Sequence, residues 1–162
     1  MKTVRAIVFC GTVFLVTLTL GLTVALSFHI YRNRQPIFAE AAFRGYFFRM
    51  RVLYRLGVDV NAAGCPYRSC FTPIWAAAWG GYDDEVRFLL DRGADVNPKS
   101  NFEGSALMAA SVAGHKSTVH LLLSRGADVN AGGDGDTALT FVRNKHPEIF
   151  ALLRQAGAKD PP

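Results

Sequence analysis

The chain has 162 residues, half of them hydrophobic, and a formal net charge of +5, which leaves room for one small domain and an appendage. Charge is uneven: residues 1–68 hold nine Lys/Arg against Glu40 and Asp59, whereas the remainder holds nine against eleven. The basic excess lies beside an apolar run, which argues against a nucleic-acid surface and for either lipid headgroups or a solvated helix face.

Residues 1–5 form a short basic flank with Lys2 and Arg5. Residues 6–28 then carry no charge and are dominated by Val, Leu, Ile, Phe and Thr. At 1.5 Å per residue such a helix is roughly 35 Å long, enough for a hydrocarbon core of about 30 Å. His29, Tyr31, Arg32 and Arg34 follow and suit the membrane interface. Residues 6–30 are therefore expected to form one transmembrane helix or uncleaved signal anchor, giving a single-pass membrane protein. The alternative is a cleaved signal peptide, with Ala25 and Ser27 as the small pair of its cleavage site and a periplasmic or secreted product. The apolar run exceeds the usual signal core of about 7–15 residues, which favours the anchor. Bulky Phe9 before Cys10 argues against a lipoprotein signal. Positive charge flanks both ends of the run, so either orientation stays open.

After a linker at 31–36, the sequence becomes periodic. Arg-Gly-Ala-Asp-Val-Asn occurs at 92–97 and again at 125–130, with Leu-Gly-Val-Asp-Val-Asn at 56–61 and Ala-Gly-Ala at 156–158. The glycines Gly57, Gly93, Gly126 and Gly157 are spaced by 36, 33 and 31 residues, the interval of a stacked array. Residues 72–93 and 105–126 align as two helices around a glycine turn. Thr72 and Ser105 suit N-caps, Pro73 the first turn, and Gly81 and Gly114 the reversal between antiparallel helices. Val86, Leu89 and Leu90 match Val119, Leu122 and Leu123 as one apolar stripe. The Asp-Val-Asn segments lead into Gly/Asn/Asp-rich turns suited to hairpins.

Thr72-Pro73-Ile74-Trp75-x-Ala77, Gly114-His115, the paired leucines and Gly-Ala-Asp-Val-Asn together resemble the ankyrin-repeat family. Resemblance covers nearly all of 37–158. It divides into repeats at 37–61, 72–97, 105–130 and 137–158, with a tail at 159–162. The outer two are degenerate: 37–57 has no Thr-Pro start, and 137–157 lacks the turn glycine near His146-Pro147. Terminal repeats cap a stack and are expected to depart from the pattern. The resemblance implies an all-α solenoid of stacked helix pairs with hairpin loops. It also implies a non-catalytic scaffold that binds a protein partner through the hairpin tips and first-helix face.

Specificity is expected where the chain departs from its siblings. Gly57 to Thr72 spans 15 residues, against 12 from Gly93 to Ser105 and 11 from Gly126 to Thr137. The extra length holds Cys65, Tyr67, Arg68, Cys70 and Phe71. Cys65 and Cys70 would pair as a disulfide in an exported array and stay thiols in a reducing cytosol. Trp79, Tyr82 and Tyr67 are candidates for an aromatic recognition patch, the alternative being ordinary core aromatics, and Arg68, Phe71 and Phe102 are further candidates for partner contact. Trp75 stands where the family commonly has histidine and reads as a packing residue. Phe43, Tyr46, Phe47, Phe48 and Tyr54 interleave with arginines, some covering the second repeat and the others set either against the bilayer or the anchor helix or as an ordinary cap of the core.

His29, His115, His120 and His146 show no metal spacing, and Asp134-Gly135-Asp136-Thr137 has no following Glu for a calcium loop. The sequence has no nucleophile–base pair, phosphate loop or HExxH helix. No enzymatic activity, cofactor, metal, small-molecule substrate or nucleic-acid partner is expected.

Overall fold

The computed structural model describes residues 36–64, 71–98, 104–133 and 136–159. The expected span at 6–30 and residues Cys65, Tyr67, Arg68, Cys70 and Phe102 lie outside the described residues. The chain divides after Arg34, and the unit Gln35–Pro162 carries the repeats. Among the described residues no helix is long and apolar enough to cross a membrane.

The described chain runs through paired helices: α1 (36–43) with α2 (Phe47–Arg55), α3 (Pro73–Gly80) with α4 (Asp83–Asp91), α5 (Ala106–Ala113) with α6 (Lys116–Ser124), and α7 (Ala138–Val142) with α8 (Pro147–Gln155). A two-residue hairpin of β1 (Gly132–Gly133) and β2 (Asp136–Thr137) precedes α7. An isolated antiparallel bridge joins Gly64 to Phe71.

Local chemistry sets the ends of these helices. Thr72 Oγ1 accepts from the Trp75 N–H at 3.4 Å and Ser105 Oγ from the Met108 N–H at 3.2 Å, each satisfying a donor that the first turn leaves orphaned. At the far ends, Gly81 and Gly114 take left-handed conformations with φ of 70° and 85°. Both expected caps and both turns are present.

First helices pack on one another from α3 to α5 to α7, while α4, α6 and α8 form a second row behind them. Ala76, Ala77 and Ala78 of α3 and Ala106, Ala109 and Ala110 of α5 are buried, so small side chains let the first-row backbones approach closely. Behind them, Met50, Val86, Leu89, Val119, Leu122 and Leu153 are wholly buried and fill the space between rows. Burying each such side chain contributes about 1.5–3 kcal/mol.

The repeated Asp-Val-Asn phrase stitches each repeat to the next. Locally, Asp59, Asp95 and Asp128 each accept, through Oδ1, the N–H of the asparagine two residues on, at 2.9 Å. Across repeats, Asn61 donates through Nδ2 to Gly93 O at 3.1 Å and accepts from the Asp95 N–H at 2.8 Å. Asn97 repeats this with Gly126 O and Asp128 N–H at 3.1 and 2.8 Å. Asn130 accepts from the Lys159 N–H at 2.9 Å, where the series ends.

The last repeat shows what the missing glycine costs. Its first helix, α7, has five residues, against eight in α3 and α5. Arg143 caps it in a right-handed conformation, and Lys145 and His146 both donate backbone N–H groups to Val142 O.

Candidate recognition surface

Four aromatic rings run in series across the first-helix side of the second repeat. Phe43 lies 5.6 Å from Phe71, Phe71 stacks on Trp75 at 5.6 Å, and Trp75 stacks on Trp79 at 5.5 Å with planes only 8° apart. Trp75 and Trp79 meet because they are four residues apart on α3, which puts them on one face one turn apart. Offset stacking of such pairs contributes about 0.5–1.5 kcal/mol beyond their buried area, so the rings stiffen one another.

Exposure changes along the series. Phe71, the second ring, is buried, 6% exposed, whereas Trp79, the last, is 40% exposed. Phe71 is thus the buried ring of the series and Trp79 the exposed one. Trp75, read from the sequence as packing, is half-buried and forms the middle of the series. Its i, i+4 relation to Trp79 was the available signal.

Tyr82 takes a different place. Its ring lies over Gly45 of the preceding turn and over Gly80 of its own, so a Cβ at either glycine would collide with it. His115 lies over Gly81 in the same way, and His146 over Gly114. These three residues, spaced by 33 and 31, form a row of rings each seated on the turn of the repeat before. Gly81 is thus required twice, for its positive φ and for the imidazole above it. His115 Nε2 also lies 3.0 Å from Trp79 O, tying the third repeat to the carbonyl of the exposed tryptophan.

The apolar face fades along the array. Positions equivalent to Trp75 hold Met108 in the third repeat and Thr140 in the fourth, and Val112 stands where Trp79 does. Of the six expected partner-binding residues, Phe71, Trp79 and Tyr82 are described. Phe71 and Trp79 join the ring series, and Tyr82 sits in the turn row beside it.

Among the described residues, no cluster of three or more His, Cys, Asp or Glu is arranged to hold a metal. The carboxyl of buried Glu85 is pushed above its ordinary value by desolvation, partly offset by a hydrogen bond from its own backbone N–H and reinforced by the Asp84 charge. Glu85 lies on α4, in the second row of helices.

Helix pairs stacked in two rows, turned by left-handed glycines and joined by asparagine bridges, define a helical solenoid repeat protein. The family model for ankyrin repeats (3 copies) matches residues 74–161, and the chain belongs to the ankyrin-repeat family. Ankyrin repeats are interaction modules, and this array is a protein–protein interaction scaffold. No curated protein matches the chain.

Proposed function

We propose that the chain is a non-catalytic, membrane-anchored scaffold that captures a protein partner on the first-helix face of its second repeat. The observation that carries the binding part is the Trp75–Trp79 stack, 5.5 Å between centroids, with Trp79 40% exposed at its end. A pre-ordered indole pair gives large contact area with little side-chain entropy left to lose on binding. The lengthened loop at 62–71, with Tyr67 and Arg68, borders this face in sequence and is assigned to the same contact, as is Phe102 of the following loop. The anchor rests on the uncharged run at 6–28 and the arginines after it.

Photo-crosslinking from single sites in the full-length protein tests the binding surface. Adducts are expected from positions 75 and 79 and not from His120 or Arg87 on the second-row helices. Adducts confined to the second row would overturn the assignment. Trp79→Ala is expected to weaken capture by on the order of 30-fold or more, the scale of a hot-spot aromatic. Intact-mass measurement of the mature N-terminus separates the anchored chain from an exported one cleaved near Ser27. Protease protection of a C-terminally tagged chain reports the side on which the array lies.

A further inference from the structure

The first repeat opens the stack, and its outer helix carries the largest exposed apolar stripe in the described chain. Phe48, Val52 and Leu56 are 79%, 41% and 52% exposed and follow one another at four-residue intervals along α2 and its cap. By the 36-residue offset they stand where the second repeat has Asp84, Phe88 and Arg92. In that repeat Phe88 meets the preceding one, packing edge-on against Phe47 and Tyr54 at 5.6 and 5.7 Å, with Arg92 over both Phe88 and Tyr54. The Phe48–Val52–Leu56 stripe is thus the stacking side of the first repeat among the described residues.

Arginines flank this stripe. At 100° per residue, Arg51 and Arg55 fall on one side of Phe48 and Val52, and Arg49 on the other. Arg49 is exposed and occupies the place of Glu85, Thr118 and Ile149, all three of which are buried in the later repeats. Residues 41–58 contain Arg44, Arg49, Arg51 and Arg55 and no acidic residue. Among the described residues no carboxylate forms an ion pair with Arg49, Arg51 or Arg55; Arg49 and Arg51 instead lie over the rings of Tyr46 and Phe47.

We infer that the outer face of α2 docks on an anionic bilayer surface, with Phe48, Val52 and Leu56 entering the acyl boundary and the arginines meeting lipid phosphates. An apolar strip between cationic borders is the pattern of a helix lying in the interface. Charge decides among occupants. A second copy of this face would bring its arginines against their own kind. The apolar run at 6–28 offers no carboxylate to meet them. An anionic leaflet supplies both the apolar and the charged half. The inference extends the proposed anchoring without depending on it for the chemistry; if residues 6–30 span the membrane, the five residues 31–35 that precede α1 can reach at most about 18 Å.

The test uses the full chain with Val52→Cys as its single thiol, Cys10, Cys65 and Cys70 having been changed to Ser. An environment-sensitive dye at position 52 is read in vesicles of phosphatidylcholine alone and of phosphatidylcholine with phosphatidylserine. We expect a blue shift and quenching by spin-labelled lipid only with phosphatidylserine. Arg49→Gln, Arg51→Gln and Arg55→Gln together are expected to lower the docking equilibrium by on the order of 100-fold, at about 5-fold for each arginine near the surface. If that variant does not fold by circular dichroism, added salt on the labelled protein takes its place, since screening must release α2. Water-like emission in both vesicles overturns the inference, and so does a shift that ignores phosphatidylserine and salt. A shift that follows the protein-to-lipid ratio assigns the face to a second copy and also overturns it. Carbonate extraction of the same samples reads the anchor separately. A released chain whose label still responds to phosphatidylserine defeats the span and keeps the docking; a retained chain with a water-like label does the reverse.

Discussion

The second and third repeats obey the pattern and the first and fourth break it, so the breaks fall in the outer repeats of the described array. In the inner pair, each first helix is capped by Thr72 or Ser105 and ended by a left-handed glycine. Each inner repeat is also bridged on both sides by asparagine. The first repeat keeps the glycine turn at Gly45 and the buried Met50 and Leu53, yet fills its outward positions with Phe48, Val52 and Arg49. The fourth loses the glycine, shortens its first helix to five residues and ends the bridge series at Lys159. Regularity here records contact between repeats, and departure records what faces something else.

The largest expected effect tests whether the inner repeats hold the array. Leu122 and Leu153 are both wholly buried at equivalent positions, but among the described residues only Leu122 lies in a helix packed between the helices of two other repeats. Leu122→Ala is expected to cost about 2–5 kcal/mol in urea unfolding, as for other buried leucine truncations. Leu153→Ala is expected to release hydrogen exchange mainly within 137–158, since a solenoid unravels from its ends. Equal loss of protection over all repeats in both variants would show a single cooperative block and erase the distinction.

A smaller effect probes a polar contact behind the inner pair. Thr118 is buried, and its Oγ1 donates to Asp83 Oδ1 at 2.6 Å across the α4–α6 contact. Thr118→Val leaves that carboxylate oxygen without its donor and should cost about 1–3 kcal/mol. Asp83→Asn restores a side chain of similar shape with less charge to satisfy, so the double variant should lose less than the sum. Strict additivity would place the effect of Thr118 in packing instead. Smaller again, Asn97→Ala removes two exposed bridges and is expected to cost about 1–2 kcal/mol, against about 0.5 kcal/mol for Asn130→Ala. Matching losses at the two positions would mean that the bridge does not depend on having a full repeat beyond it.

Much of the fold was legible because the array repeats its own chemistry. Thr72, Ser105, Gly81 and Gly114 could be assigned as caps and turns from their offsets, since each role admits few residue types. The partners of Asn61 and Asn97 could not: the repeated phrase marks the position, but a bridge between residues about 30 apart needs the curvature of the stack. The ring series was half visible. Trp75 and Trp79 share a helix face by spacing, whereas Phe43 reaches Phe71 only through packing of the first repeat on the second. The row of Tyr82, His115 and His146 over preceding turns was missed for a related reason. Tyrosine and histidine look unrelated in sequence, and what they share is a flat ring that fits above a residue without a Cβ.

The smallest expected effects separate inner from outer repeat by the sign of their pH dependence. Glu85 is buried in the second repeat and its carboxyl is raised by desolvation, whereas exposed Glu148 in the fourth is lowered by the hydrogen bond from Lys116 Nζ at 2.6 Å and by the charge of that lysine. A raised folded value means the folded state holds its proton more tightly. Stability linked to Glu85 is then complete below its ordinary value and is lost as pH rises through the raised one. Glu85→Gln should therefore gain stability over the unsubstituted protein at neutral pH, with the gain closing on acidification. Glu148 runs the other way: its contribution is present above the ordinary glutamate value and disappears as pH falls through the lowered one. Glu148→Gln should be the weaker protein at neutral pH and its equal in acid, by a margin that salt shrinks because the pair is exposed. Urea midpoints from neutral pH down to about pH 3, taken at low and high salt, check both signs. If both variants shift in the same direction, burial does not govern Glu85, and the inner repeat holds its carboxylate by pairing as the outer one does.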